Sequence, residues 1–334
     1  MSNASKLAEF NDNYLIHKYG YGHLSRQKRL QIIDSIQANL PHKIRETENL
    51  NLQYFLNLSS EKIDMNNGFK DVNLNSIKTL VKNELTFEKL IKGEKKLDFN
   101  QKKLLATKSY LIPTTNLDDY GIDHPVIKLA TNPVILASIA NYMAEAPILW
   151  NAQILYSPSK SINLKNNFLN NIRNLRYRGG FAKYEGSQLF HIDVDHPHTV
   201  KLWVYLTDVE KNSGPLTILP GGVSDKATLE LGDKSSKKQL DKTMKKYINK
   251  KMKLLRKSES VFLVDTGRCF HYGSRDISSK KERFALVIHY TSLFSEYLFN
   301  KTNSEKAKLR IEKFLSNGSS PLLEKLTRYK EYFY

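Results

Sequence analysis

Residues 190–198 read FHIDVDHPH, placing three histidines and two aspartates within nine positions. Alternate residues of a strand face one side, so His191 and Asp193 stand together while Ile192 points into the opposite layer. Asp195 continues that parity, but Pro197 ends the strand that carries it. One imidazole and one carboxylate do not fill a metal's shell, so a third ligand must come from elsewhere in the chain. The stretch DTGRCFHYGSR (265–275) offers His271 at the end of a strand, and RFALVIHY (283–290) opens on Arg283. Two histidines and one carboxylate on one face of iron leave positions open for a chelating organic acid and O₂. An arginine deeper in the fold would hold the far carboxylate of that acid through a forked, charge-assisted pair.

Outward from this cluster the chain changes texture at about residue 150. LWNAQILYS (149–157), TVKLWVYLTDV (199–209), GPLTILPG (214–221), ESVFLVD (259–265) and RFALVIHYT (283–291) are short and rich in β-branched and aromatic residues. Pro, Gly, Asn and Asp bound them, which is the signature of strands. Such a succession without amphipathic helices between predicts an antiparallel sandwich or barrel. Residues 22–110 read as helices, with Leu30, Ile33 and Ile36 on one face and Ile77, Leu80, Val81 and Leu85 on another. TNPVILASIANYM (131–143) starts a helix well, with Asn132 as cap and Pro133 in the first position. A final helix is expected at about 303–331. The expected organisation is a helical region at 1–110 packed on a core at 111–300, with a helical tail at 301–334.

The 334 residues are 40% hydrophobic and 26% charged, a globular balance. Cys269 is the single cysteine, which excludes an intrachain disulfide and makes a reduced, cytoplasmic setting the expectation. No apolar run long enough for a membrane span exists, and the N-terminus lacks the apolar core of a signal peptide. The net charge is +18, and half of it lies at 226–257, where twelve Lys and Arg face three acids, a net of +9. This stretch is expected to be a solvated, partly helical insertion that is mobile or a lid near the mouth of the core. Tyr247 is its one aromatic residue, which disfavours base stacking and hence a nucleic-acid partner. The surplus charge favours an anionic small molecule instead.

The chain resembles the phytanoyl-CoA dioxygenase-like group of iron(II)/2-oxoglutarate oxygenases. The residues that carry the resemblance are His191-Ile192-Asp193, Trp203, Asp208-Val209, Gly214, Pro220-Gly221, His271 and Arg283, in that order. It spans about residues 125–292. The resemblance implies an α+β chain with a mainly β core, a double-stranded β-helix (jelly-roll, cupin-like) barrel. It implies His191, Asp193 and His271 as catalytic ligands of Fe(II), and Arg283 as the clamp on 2-oxoglutarate. Trp203 would line the cosubstrate pocket, with Tyr205 on the same strand face. Gln188 and Lys183, on the approach to His191, are candidates for its other carboxylate. The implied reaction oxidises an unactivated C–H bond of a small molecule with O₂ and releases succinate and CO₂, with ascorbate as an accessory reductant. The presence of Asp193 favours hydroxylation over halogenation. Two departures stand out: Gly222-Val223 where relatives carry Ser-His, and the long basic insertion.

Of the remaining candidates, His196 and His198 flank Pro197 and are expected in a solvated turn. Asp195 would cap that turn or orient a ligand. Cys269 would be a small buried filler. Arg275 would bind an anionic substrate or lie exposed. Two other readings stay open: a module that binds nucleic acid or polysaccharide through its basic surface, and a cupin-like metalloenzyme that uses no 2-oxoglutarate.

Overall fold

The computed structural model describes residues 24–92, 110–159, 184–278, 280–295, 301–316 and 318–328. Helices α1 (Arg26–Asn39), α2 (His42–Leu56), α3 (Asn75–Glu84), α4 (Pro125–Ala130) and α5 (Pro133–Met143) precede most of the strands. In α5, Asn132 accepts from the backbone N–H groups of Val134 and Ile135, and Pro133 occupies the first turn, as the sequence reading expects. Helix α6 (Gly221–Leu231) lies between strands, and α7 (Lys301–Leu315) and α8 (Pro321–Leu326) follow the last of them. Among the described residues no helix is long and apolar enough to cross a membrane.

The strands are β1 (Phe69–Asp71), β2 (Ile112–Pro113), β3 (Ile148–Ser157), β4 (Val200–Tyr205), β5 (Thr217–Ile218), β6 (Met252–Lys253), β7 (Val261–Asp265), β8 (His271–Tyr272) and β9 (Arg283–Thr291). They form a six-stranded antiparallel sheet, β1-β7-β4-β9-β3-β2, and a three-stranded one, β6-β5-β8. Strand alternation sorts the side chains between two layers. Leu202, Val204, Leu263, Leu286, Ile288 and Tyr290 pack against the helices. Trp203, Tyr205, Phe262, Val264, Ala285 and Val287 pack the other way, against Leu216 and Ile218 of the small sheet. The result is helices on the large sheet and the large sheet on the small one. Among the described residues no ladder joins the two sheets into a closed barrel.

Two features differ from the sequence reading. Residues 22–110 are not all helical, because β1 pairs with β7 at the edge of the large sheet. The basic stretch is not a detached lid either. Met244 and Tyr247 are buried in a cluster with Phe190, Ile192, Leu219, Phe270 and Tyr272. Gln239 donates its backbone N–H to Phe190 O at 2.7 Å, so the stretch is fastened to the residue just before His191. Most of its lysines are exposed, Lys251 and Lys253 being half-buried, while these few anchors are buried.

Candidate metal centre

Main-chain pairing brings the cluster together. His191 and His271 exchange both backbone hydrogen bonds, at 3.0 and 2.8 Å, so residues 80 apart sit directly opposite each other. Their rings lie 4.2 Å apart, centroid to centroid. Asp193 donates its N–H to Thr266 O at 2.8 Å, which holds it beside the same loop. Donor atoms of His191, Asp193 and His271 all lie within 4.8 Å of one another, a grouping able to hold a metal ion.

The protonation states suit ligation. His191 Nδ1 bonds Leu189 O at 2.9 Å, and His271 Nδ1 bonds Cys269 O at 3.0 Å. A carbonyl can only accept, so each Nδ1 carries the hydrogen and each Nε2 keeps its lone pair for the centre. Burial, with His271 alongside, pushes His191 down to about 3, and burial likewise lowers His271. Both rings are therefore neutral at physiological pH. Burial alone would raise Asp193, but the Lys201 ammonium outweighs it and keeps the carboxylate ionised. Lys201 Nζ stands 2.6 Å from Asp193 Oδ2.

A cavity of about 270 Å³ opens on this triad, and Lys201, Trp203, Ser274 and Arg283 share its lining with them. Arg283 is buried at the start of β9. Its Nη2 donates to Ser157 Oγ at 3.0 Å and to Ser274 Oγ at 3.1 Å, its Nη1 donates to Gly214 O, and its Nε has no partner. Among the described residues no carboxylate pairs with it. Burial lowers the basicity of this guanidinium. Trp203 stacks parallel to Phe262 at 6.2 Å and keeps a buried, unpartnered indole N–H.

The other sequence candidates fall elsewhere. Tyr205 is fully buried behind Arg283 and accepts from Leu216 N at 3.4 Å, so it backs the arginine rather than lining the cavity. Gln188 spends its side chain on Ser274 O at 2.7 Å and Glu185 N at 3.3 Å, and Ser187 lines the cavity in its place. Lys183 lies outside the described residues. His196 is buried and His198 half-buried, and both are engaged by partners. His196 Nε2 meets Ser292 Oγ at 2.9 Å and Glu145 Oε2 at 3.3 Å, and His198 Nδ1 meets Asp265 Oδ2 at 2.9 Å. The turn that carries them is covered: a Cβ on Gly267 would meet His196 O at 2.5 Å. Asp195 is buried and pairs with His289 at 3.5 Å. Arg275 is structural, bonded to Asp241 at 2.9 Å with its guanidinium 3.6 Å over the Tyr272 ring. Burial pushes the Cys269 thiol up, which makes it the inert filler expected.

Sequence reasoning missed Lys201, Ser157 and Ser274. Strand parity with Trp203 was the available signal for Lys201. The two serines had none, because each reaches the site by pairing or by a loop.

No family model matches the sequence, and no curated protein matches it. Among solved structures, the chain aligns with the apoform of EctD from S. alaskensis at 11% identity, over 69% of this chain and 74% of that one, with a TM-score of 0.42. It aligns with the epimerase SnoN, in complex with Fe3+, alpha ketoglutarate and nogalamycin RO, at 14% identity over 74% and 85%, with a TM-score of 0.40. The carbocyclase SnoK from nogalamycin biosynthesis aligns at 15% identity over 77% and 86%, with a TM-score of 0.38. Likenesses of this size assign no chemistry to the chain.

Proposed function

We propose that this chain is an Fe(II)- and 2-oxoglutarate-dependent oxygenase of the phytanoyl-CoA dioxygenase-like group, with its two sheets as the halves of a jelly-roll. The observation that carries the reading is Arg283, a buried cation without a described counter-charge in the cavity that also holds His191, Asp193 and His271. Such a charge is costly unless an anion pairs with it. A dicarboxylic acid long enough to chelate a metal at one end and pair with arginine at the other meets both needs. The donor set fits a divalent iron, with two neutral imidazoles offering Nε2 and one carboxylate.

When bound, the iron and the 2-oxo acid supply the oxidising chemistry, with release of succinate and CO₂. The chain does the holding. His191, Asp193 and His271 bind the metal. Arg283 takes the far carboxylate of 2-oxoglutarate, and Ser157 and Ser274 fix the plane of its guanidinium. Trp203 lines the cavity while its indole N–H stays buried, and Leu111, Pro113, Leu155, Leu216 and Val287 keep much of the wall apolar. The prime substrate in this reading is an anionic small molecule, supported by the net charge of +18. A cytoplasmic setting accords with the single reduced thiol and an oxidisable metal.

The test is an anaerobic titration with Fe(II), then with 2-oxoglutarate, followed by admission of O₂ and measurement of succinate. One metal per chain, a cosubstrate that binds only after it, and succinate formation support the reading. Metal binding without any 2-oxoglutarate binding would favour the cupin-like alternative.

A further inference from the structure

Lys201 lies on β4 two residues before Trp203, so alternation turns both to the cavity. Its ladder partners are Val264 on β7 and His289 on β9, which hold the backbone on both sides. The side chain is mostly covered, about 20% exposed, and its ammonium reaches Asp193 Oδ2 at 2.6 Å. The other oxygen, Oδ1, is the one turned toward His191 Nε2, at 4.0 Å. Among the described residues Lys201 is the side chain that donates a hydrogen bond to this carboxylate. The backbone of Asp193 is fixed separately, by Thr266 O and by Arg29, which donates to Asp193 O at 3.3 Å. The main chain thus sets where Asp193 stands, and Lys201 sets how its carboxylate is rotated.

We infer that Lys201 is a positioning residue that occupies Oδ2 and so makes Asp193 a one-oxygen ligand. The inference rests on the oxygenase reading above and deepens it. A carboxylate can grip a metal with one oxygen or with both. An octahedral ion held by three protein atoms and a two-atom chelate has a single position left for O₂. A second oxygen from Asp193 would fill it. The ammonium prevents this by holding Oδ2 in a charge-assisted bond, and outer partners of this kind commonly decide ligand geometry. A second effect acts beside it, since an ammonium beside a dication repels it. Both effects ease metal binding when the lysine is removed, but only the first changes the ligand set and hence the spectrum.

The experiment uses Co(II) as the probe metal, titrated anaerobically into the full chain and into Lys201→Met and Lys201→Arg, with affinity and visible spectrum recorded before and after adding 2-oxoglutarate. If Lys201 keeps Oδ2 off the metal, Lys201→Met frees Asp193 to grip with both oxygens, so it binds Co(II) at least as tightly as the parent and its visible spectrum shifts with the change in coordination. Lys201→Arg, which keeps a charged donor, stays close to the parent in both affinity and spectrum. An unchanged spectrum in Lys201→Met overturns the inference and leaves only repulsion, and weaker binding by this variant overturns it as well. If Lys201→Met does not fold, Lys201→Ala carries the same expectation. A parent chain that binds Co(II) but not 2-oxoglutarate would sink the oxygenase reading instead, and a parent that binds neither sinks both.

Discussion

Replacing Arg283 by methionine should move two quantities in opposite directions. Without ligand, the guanidinium is a buried charge with neutral partners alone among the described residues. Its removal strands little: Ser157 Oγ and Ser274 Oγ already bond each other at 2.9 Å, and Gly214 O also accepts from Ser274 N at 3.2 Å. Replacing a buried charge by an apolar side chain of similar volume is neutral or stabilising by about 1–4 kcal/mol. With 2-oxoglutarate the sign reverses. The ligand's far carboxylate would enter the same site with no cation to meet it, at a cost of about 3–5 kcal/mol. That is roughly two to three orders of magnitude in affinity. Lysine restores charge but not the fork, so Arg283→Lys should recover only part. The assay is 2-oxoglutarate titration at saturating Mn(II) without O₂, paired with thermal unfolding with and without the cosubstrate. The parent should gain stability from the ligand by mass action and Arg283→Met should not. Parental affinity in Arg283→Met would refute the clamp. A large loss of stability in its metal-free form would show that the arginine is a structural strut.

Four further outcomes follow from the same contacts. His271→Ala should lose metal binding, whereas His196→Ala should keep it and unfold about 1–3 kcal/mol more easily, because it removes a hydrogen-bonding partner of the half-buried Glu145; denaturant melts and metal titration separate the two. Arg275→Ala should leave 2-oxoglutarate affinity intact, since its guanidinium is committed to Asp241; the same titration would show a loss if it were the clamp. Met244→Ala should cost about 2–5 kcal/mol and speed amide exchange around Gln239, a result that a detached lid would not give. Burial alone would raise Asp265, but the hydrogen bond and charge of His198, with Arg26 behind, hold it down at about 2. A depressed carboxyl stabilises the fold above its ordinary range and loses that contribution as pH falls through its folded value, so about 2 kcal/mol should vanish between roughly pH 4 and 2. Stability–pH curves of the parent and Asp265→Asn should converge over that interval.

Long strands were legible in the sequence and short ones were not, for a reason of length. RFALVIHYT sustains a run rich in β-branched and aromatic residues over nine positions, and β9 pairs with β3 and β4 along nearly its whole length. Phe69–Asp71 and Ile112–Pro113 are too short to carry any alternation, yet they close the two edges of the large sheet. Burial was misread where local chemistry pointed to water. Pro197 correctly marks a turn, but turn chemistry does not say what lies over the turn, and here it is covered by Glu145 and Ser292. In the basic stretch the lysines dominate the reading. Met244 and Tyr247 sit among them in irregular turns, where no helical or strand period singles them out as anchors.

The triad was legible because its orienting device is local and repeated. Each histidine bonds the carbonyl two residues before it, Leu189 for His191 and Cys269 for His271, so a short extended segment suffices to aim each Nε2. Residue type and parity therefore carry most of the information about that grouping. Arg283 and Lys201 are different, because what makes them informative is what surrounds them. Ser157 reaches Arg283 through the β3–β9 register, and Lys201 finds Asp193 across a loop. No local pattern encodes that the first cation meets no described carboxylate while the second meets one. That contrast is what the proposals for Arg283 and Lys201 rest on. It depends on the identity of every side chain within reach, so it emerges only from the packed fold.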